Sequence, residues 1–161
     1  MPGPVPLARA TDDRAGALLR QGLEKARQDA LPEAAELLTQ AVALRPADAE
    51  AWNSLGVVLV REGEMARGVD AFTQALRRAP DHAEAHRNLA VALDRQGRSE
   101  AAVVHYRAFL RTSGEDHPAR DDVRRRLEQI SSGEASESGG RASAAAAGGA
   151  SESGSRASGS R

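Results

Sequence analysis

The side chains best able to do chemistry are four histidines, and two of them, His82 and His86, stand four residues apart. On a helix that spacing puts both imidazoles on one face, as in a two-histidine metal site. A zinc centre needs further donors, usually thiolate, imidazole or carboxylate. The chain has no cysteine, and no third ligand stands nearby. His82 falls where a helix cap belongs and His86 where a core ring belongs, so no metal is expected. His105 and His117 read as surface residues. Covalent catalysis needs a nucleophile and a base within one cleft. The serines gather near the C-terminal end, with no histidine placed to serve them. Gly63 and Gly97 read as turn residues at helix ends, and no glycine-rich phosphate loop is present. Neither enzymatic activity nor a cofactor is expected.

Charge narrows the partners further. The 161 residues carry 22 basic and 23 acidic side chains, for a net charge of −1. No field of one sign is available to hold nucleic acid or an anionic membrane. The run Arg124–Arg126 is offset by Asp121, Asp122 and Glu128, which makes it a solvated face. No apolar run approaches the length of a membrane span. The N-terminal segment has three prolines in its first six residues and no apolar stretch of signal-peptide length. A soluble, cytoplasmic protein is the expectation.

These side chains must be positioned by helices. Hydrophobic residues make up 40% of the chain but aromatics only 2%. A core of Ala, Leu and Val suits closely packed helices, whereas sheets favour β-branched and aromatic residues. Thr11 or Asp12 is an acceptable cap for a helix over 14–29, in which Ala15, Leu18, Leu19, Leu23 and Ala26 recur at helical spacing. Pro32 suits the first turn of a second helix, which Pro46 ends. Asp48 can cap a third. Ala51 to Pro80 reads as two amphipathic helices turning at Gly63. A fifth helix starts near Asp81 or His82 and breaks at Gly97, and a sixth spans about 99–111. A last one, 118–130, carries a narrow stripe of Ala119, Val123, Leu127 and Ile130, with Arg120 and Arg124–Arg126 covering the rest. Beyond it, 131–161 contains only Ser, Gly, Ala, Glu and Arg. With no large apolar side chain such a segment cannot offset the entropy of ordering, and it is predicted to be a disordered tail.

The helices repeat. Pro46 and Pro80 are 34 residues apart, as are Gly22 and Gly56, Ala41 and Ala75, and Gly63 and Gly97. A fixed period of this length marks a stacked helical array. It divides the chain into repeats 15–48, 49–82 and 83–116, within a domain of 12–130 that follows a flexible segment at 1–11. One hairpin cannot bury its apolar face alone, but three stacked hairpins with a solvating cap can.

Within that frame the second repeat places Trp52, Leu55, Gly56, Leu59, Gly68, Phe72, Ala75 and Pro80 in a spacing that resembles the tetratricopeptide repeat (TPR) signature. The third repeat is similar through His86, Leu89, Ala90, Leu93, Ala102, Tyr106 and Phe109. The first is degenerate, with Gly22, Ala34, Leu38, Ala41 and Pro46. The resemblance implies an all-α solenoid of about seven helices, in which the first helix of each pair lines a concave groove for a partner's peptide or helix. By its groove positions it points to Leu19, Leu23, Asn53, Val57, Val60, Arg87, Asn88 and Val91. Amide side chains both donate and accept, so Asn53 and Asn88 are expected to grip an extended backbone, and Arg87 to hold a partner carboxylate. Some members clamp the acidic tail of heat-shock chaperones. The corresponding places here hold Leu19, Leu23, Ser54, Glu84 and Asn88, which do not match, and Glu84 would repel an anionic tail.

The function expected is therefore that of an adaptor or scaffold binding another protein. Two alternatives stay open: a co-chaperone or secretion/pilus-assembly chaperone holding an apolar client segment through Leu19, Leu23, Val57 and Val91, and a regulatory subunit of an enzyme complex. Self-association through the first repeat is also open.

Overall fold

The computed structural model describes residues 7–133, and those residues form seven helices with no strand. They are α1 (Leu7–Arg27), α2 (Leu31–Leu44), α3 (Ala49–Arg61), α4 (Met65–Arg78), α5 (Ala83–Arg95), α6 (Ser99–Thr112) and α7 (Arg120–Ser131). The Pro-rich residues 1–6 and the tail at 134–161 lie outside the described residues.

Local chemistry explains most boundaries. Asp48 caps α3, its Oδ1 accepting from the Ala51 backbone N–H at 3.0 Å, and His82 caps α5, its Nδ1 accepting from Ala85 N–H at 3.3 Å. Proline occupies the first turn of α2. The turns between paired helices pass through the left-handed region at one phase of the repeat, with φ of 61° at Asp29, 88° at Gly63 and 74° at Gly97. Glycine meets that conformation without a Cβ penalty, and aspartate is among the few other residues that tolerate it. The start of α1 differs from expectation. Thr11 and Asp12 lie inside the helix rather than at its cap, so 7–11 is helical. Asp12 serves a tertiary contact instead: its Oδ1 accepts from Arg45 Nε at 3.4 Å and its backbone carbonyl from Arg45 Nη2 at 2.8 Å.

Helices pair as α1–α2, α3–α4 and α5–α6, and each pair packs on the next through α2–α3 and α4–α5. Gly56 permits close approach within the second pair, since a Cβ there would stand 2.5 Å from the Phe72 ring. Phe72, Phe109, Leu38 and Val58 are the largest fully buried side chains. The backbones of α1 and α3, and of α3 and α5, also come close, while those of α2 and α4, and likewise of α4 and α6, stay apart. The first helices of the pairs therefore crowd the inside of the curve and the second helices fan outward.

The last helix closes the stack through buried Val123, with Ala119, Leu127 and Ile130 packed around it. Arg120 departs from its expected surface role, being only 6% exposed. Its Nη1 donates to the carbonyls of Leu110 at 2.7 Å and Ser113 at 3.0 Å, and to Ser113 Oγ at 3.0 Å. A guanidinium carries five donors and can satisfy frayed carbonyls at the end of α6 that no helical partner reaches. Arg124 and Arg125 are exposed as expected and pair with Asp121 and Asp122.

Candidate peptide-binding face

Five of the eight sequence-predicted residues converge. Val57 and Val60 of α3 and Arg87, Asn88 and Val91 of α5 line one depression of about 130 Å³, with Arg61, Phe72 and Ala92 completing it. It opens on the inside of the curve, between two first helices. A second depression of about 210 Å³ continues past the shared Arg87 and Val91 to Ala119, at the start of α7, and to Asp122, Val123 and Arg126 within it. The contribution of α7 was not anticipated. A signal for it lay in the period, because Ala119, Val123 and Leu127 fall 34 positions after Ala85, Leu89 and Leu93. The capping helix is thus a fourth first helix in register.

Leu19 and Leu23 do not join this cluster. Both are half-buried, and Leu19 packs against the first core cluster of α1, α2 and α3. Asn53 also departs from expectation, being only 7% exposed. Its Oδ1 accepts from Asn88 Nδ2 at 3.0 Å, a bond between α3 and α5. The Asn53 carbonyl is therefore engaged inside the protein, and Asn88 is the amide nearer the opening.

Internal pairs also shape the rim. Arg87 directs Nε and Nη2 at one oxygen of Glu84, at 3.0 and 2.9 Å, while His117 Nε2 donates to the other at 2.7 Å. Partial burial pushes the Glu84 carboxyl up, but the hydrogen bonds and charges of Arg87 and then His117 outweigh it and leave the group below the usual range. A partner carboxylate reaching Arg87 would compete with Glu84. On the far rim Arg126 grips Asp94 through Nε at 2.6 Å and Nη2 at 2.9 Å, and Tyr106 Oη donates to the same carboxylate at 3.3 Å. The Arg126 hydrogen bond holds Asp94 below its ordinary value against the opposing effect of burial.

The histidines have structural roles. His82 Nε2 donates to Glu50 at 3.1 Å, and His117 repeats the arrangement with Glu84 one repeat later. His117 was expected on the surface, but it is half-buried and stands edge-on to Phe109, with ring centroids 5.0 Å apart. His105 is half-buried too, its Nδ1 lying 3.0 Å from Nδ1 of His86. His86 Nε2 lies 2.8 Å from the Pro80 carbonyl. A carbonyl can only accept, so His86 carries its proton on Nε2 and its Nδ1 accepts from His105. Burial first, and then the neighbouring His86 imidazole, lowers the His105 pKa. Both ring nitrogens of His82 and of His86 are thus engaged within the protein, which leaves neither free as a ligand.

The fold and this face define a class of protein: a stack of helical hairpins whose first helices present a groove. The chain belongs to the tetratricopeptide repeat family, whose model matches residues 19–72 and 61–117. Among solved structures it is similar to the Arabidopsis OM64 TPR domain, at 14% identity and a TM-score of 0.70 over 74% of this chain and 98% of that one. The first TPR of Spaghetti (RPAP3), solved bound to an HSP90 peptide, is similar at 16% identity and a TM-score of 0.69, over 74% and 95%. MamA is similar at 20% identity and a TM-score of 0.62, over 83% and 85%. A search of curated proteins finds no match. No helix among the described residues is long and apolar enough to cross a membrane.

Proposed function

We propose that the protein is a non-catalytic, cytoplasmic adaptor that holds a segment of another protein against α3, α5 and α7. The carrying observation is the convergence of Val57, Val60, Arg87, Asn88 and Val91 on one depression that runs on to the capping helix. Its floor of Val57, Val60, Phe72, Val91 and Ala92 suits an apolar side chain of the segment, and Asn88 can bond the segment's backbone. This floor also favours the second reading, a chaperone for an apolar client. RPAP3 shares the fold and was solved with an HSP90 peptide, but the places that would clamp an acidic tail here include Leu19, Leu23 and Glu84. An acidic chaperone tail is therefore not the proposed ligand. The acting unit is residues 12–130, with 131–161 as an appended tail.

The test is capture of a partner by the full chain and by Val57→Glu with Val91→Glu, both checked for helix content and thermal stability. A charge on this floor abolishes capture if the face is the site. Undiminished capture by a folded double variant refutes the reading. Comparison with Asn88→Ala separates backbone gripping from apolar docking.

A further inference from the structure

The second and third hairpins are filled differently. In the third, His105 of α6 reaches the His86 ring of α5, with ring centroids 5.3 Å apart and the planes tilted by 30°. Thirty-four positions earlier the same two places hold Ala71 and Trp52. Ala71 supplies a methyl where His105 supplies an imidazole, and the space opens into a cavity of about 350 Å³ walled by Val42, Trp52, Leu55, Leu59 and Ala71, with Asp70 at the rim. It lies between α2 and α4, whose backbones stay apart, and shares no lining residue with the α3–α5 depression.

We propose that this cavity receives one tyrosine side chain of a partner polypeptide, whose ring would stand beside Trp52 as the His105 ring stands beside His86 in the next hairpin. Five of the walls are apolar, with Thr39, Arg67, Asp70 and Gln74 completing the lining, and the cavity lies at the lower end of the size of small-ligand sites. One wall is an indole, which favours an offset or edge-on aromatic ring over an aliphatic group of equal area. That indole is held in place: Trp52 Nε1 donates to the Pro46 carbonyl at 3.0 Å, and the Arg78 guanidinium lies 5.0 Å from the ring centroid. The rim selects a donor. Arg67 is paired with Glu64, whereas Asp70 is exposed and has no ion pair among the described residues, so its carboxylate is available to a phenol O–H. An anionic group would meet Asp70 and is disfavoured. The site is independent of the α3–α5 face, and both can be occupied at once.

The test uses the chain's one tryptophan, whose indole N–H gives a single resonance. The full-length protein is titrated with N-acetyl-tyrosinamide and, separately, with N-acetyl-leucinamide. The expected result is a saturable shift of the Trp52 indole and Ala71 amide resonances by the tyrosine amide, with a dissociation constant on the order of 1 mM, and at least about tenfold weaker binding of the leucine amide. Asn88 and Val91 resonances stay still, so the outcome does not depend on the groove reading. Ala71→His fills the cavity and abolishes the shift. Asp70→Ala, an exposed change that leaves the core untouched, weakens binding several-fold and decides the matter should Ala71→His fail to fold. Equal shifts by both amides, no saturation, or undiminished binding by both variants overturns the proposal.

Discussion

Asn88 donates through Nδ2 to Oδ1 of Asn53 at 3.0 Å, tying α5 to α3 across 35 residues of sequence. The acceptor is nearly sealed from solvent and the donor is half-exposed, so the two ends of this bond are not equivalent. Asn88→Ala leaves a buried carbonyl without a partner and is expected to cost about 1–3 kcal/mol, whereas Asn53→Ala removes only the net bond, about 0.5–1.5 kcal/mol. The double variant should be close to Asn53→Ala alone rather than to the sum. Urea denaturation of the three variants checks this, and additive losses would contradict the pairing.

Tyr106 is the only tyrosine of the chain. Burial first, and then the neighbouring Asp94 carboxylate, push its hydroxyl up to about 12. In the unfolded chain it ionises near 10, as model peptides do. The folded value is the higher one, so the associated stability is fully present below the unfolded value and is lost as pH rises through the folded one. Phenolate absorbance should therefore appear near pH 12 in the native protein and about two units lower in urea. Asp94→Asn should lower the native midpoint without restoring it to the free value. A native midpoint equal to the unfolded one would place Tyr106 in solvent.

Acid should act first at the capping helix. Asp94 and Glu84 both sit below the ordinary carboxylate range. Their contribution is present above the unfolded values of about 4 and is lost as pH falls through the folded ones. Arg126→Met removes the anchor of Asp94 and should destabilise the protein by about 1–2 kcal/mol near neutral pH. The gap from the parent should shrink as Asp94 protonates. Thermal unfolding across an acid series reads this out, and a gap constant with pH would assign the loss to packing instead.

The turn at Gly63 has φ of 88°, and a Cβ added there meets nothing within 4 Å. Gly63→Ala is therefore a conformational change without a steric one, and should cost about 1 kcal/mol. Asp29→Gly relieves the same strain in the first repeat but loses an exposed pair with Arg61, at 2.9 Å, and loosens the unfolded chain. Its net effect should be smaller than that of Gly63→Ala. Equal and opposite effects would mean that the Arg61 pair contributes nothing.

Much of this architecture could be read from spacing alone. A 34-residue period in Pro, Gly and Ala sets helix lengths, turns and hairpin order, because each is a local consequence of residue type. The same phase found five of the eight residues that line the depression. It failed where side-chain reach decides. Asn53 was assigned to the surface by phase, yet Asn88 covers it from the next repeat. Arg120 has the sequence look of a solvated arginine, yet it folds inward to the open carbonyls of α6. Asp12 resembles a cap but meets Arg45, just past the end of α2.

Periodic patterning is a local property, so the repeat frame and the closing helix were written in the order of residues. The filling of each hairpin was not, because it depends on which side chains meet across the two helices of the pair. Ala71 and His105 share one phase of the repeat, and only packing shows that the first leaves a cavity beside Trp52 while the second closes on His86.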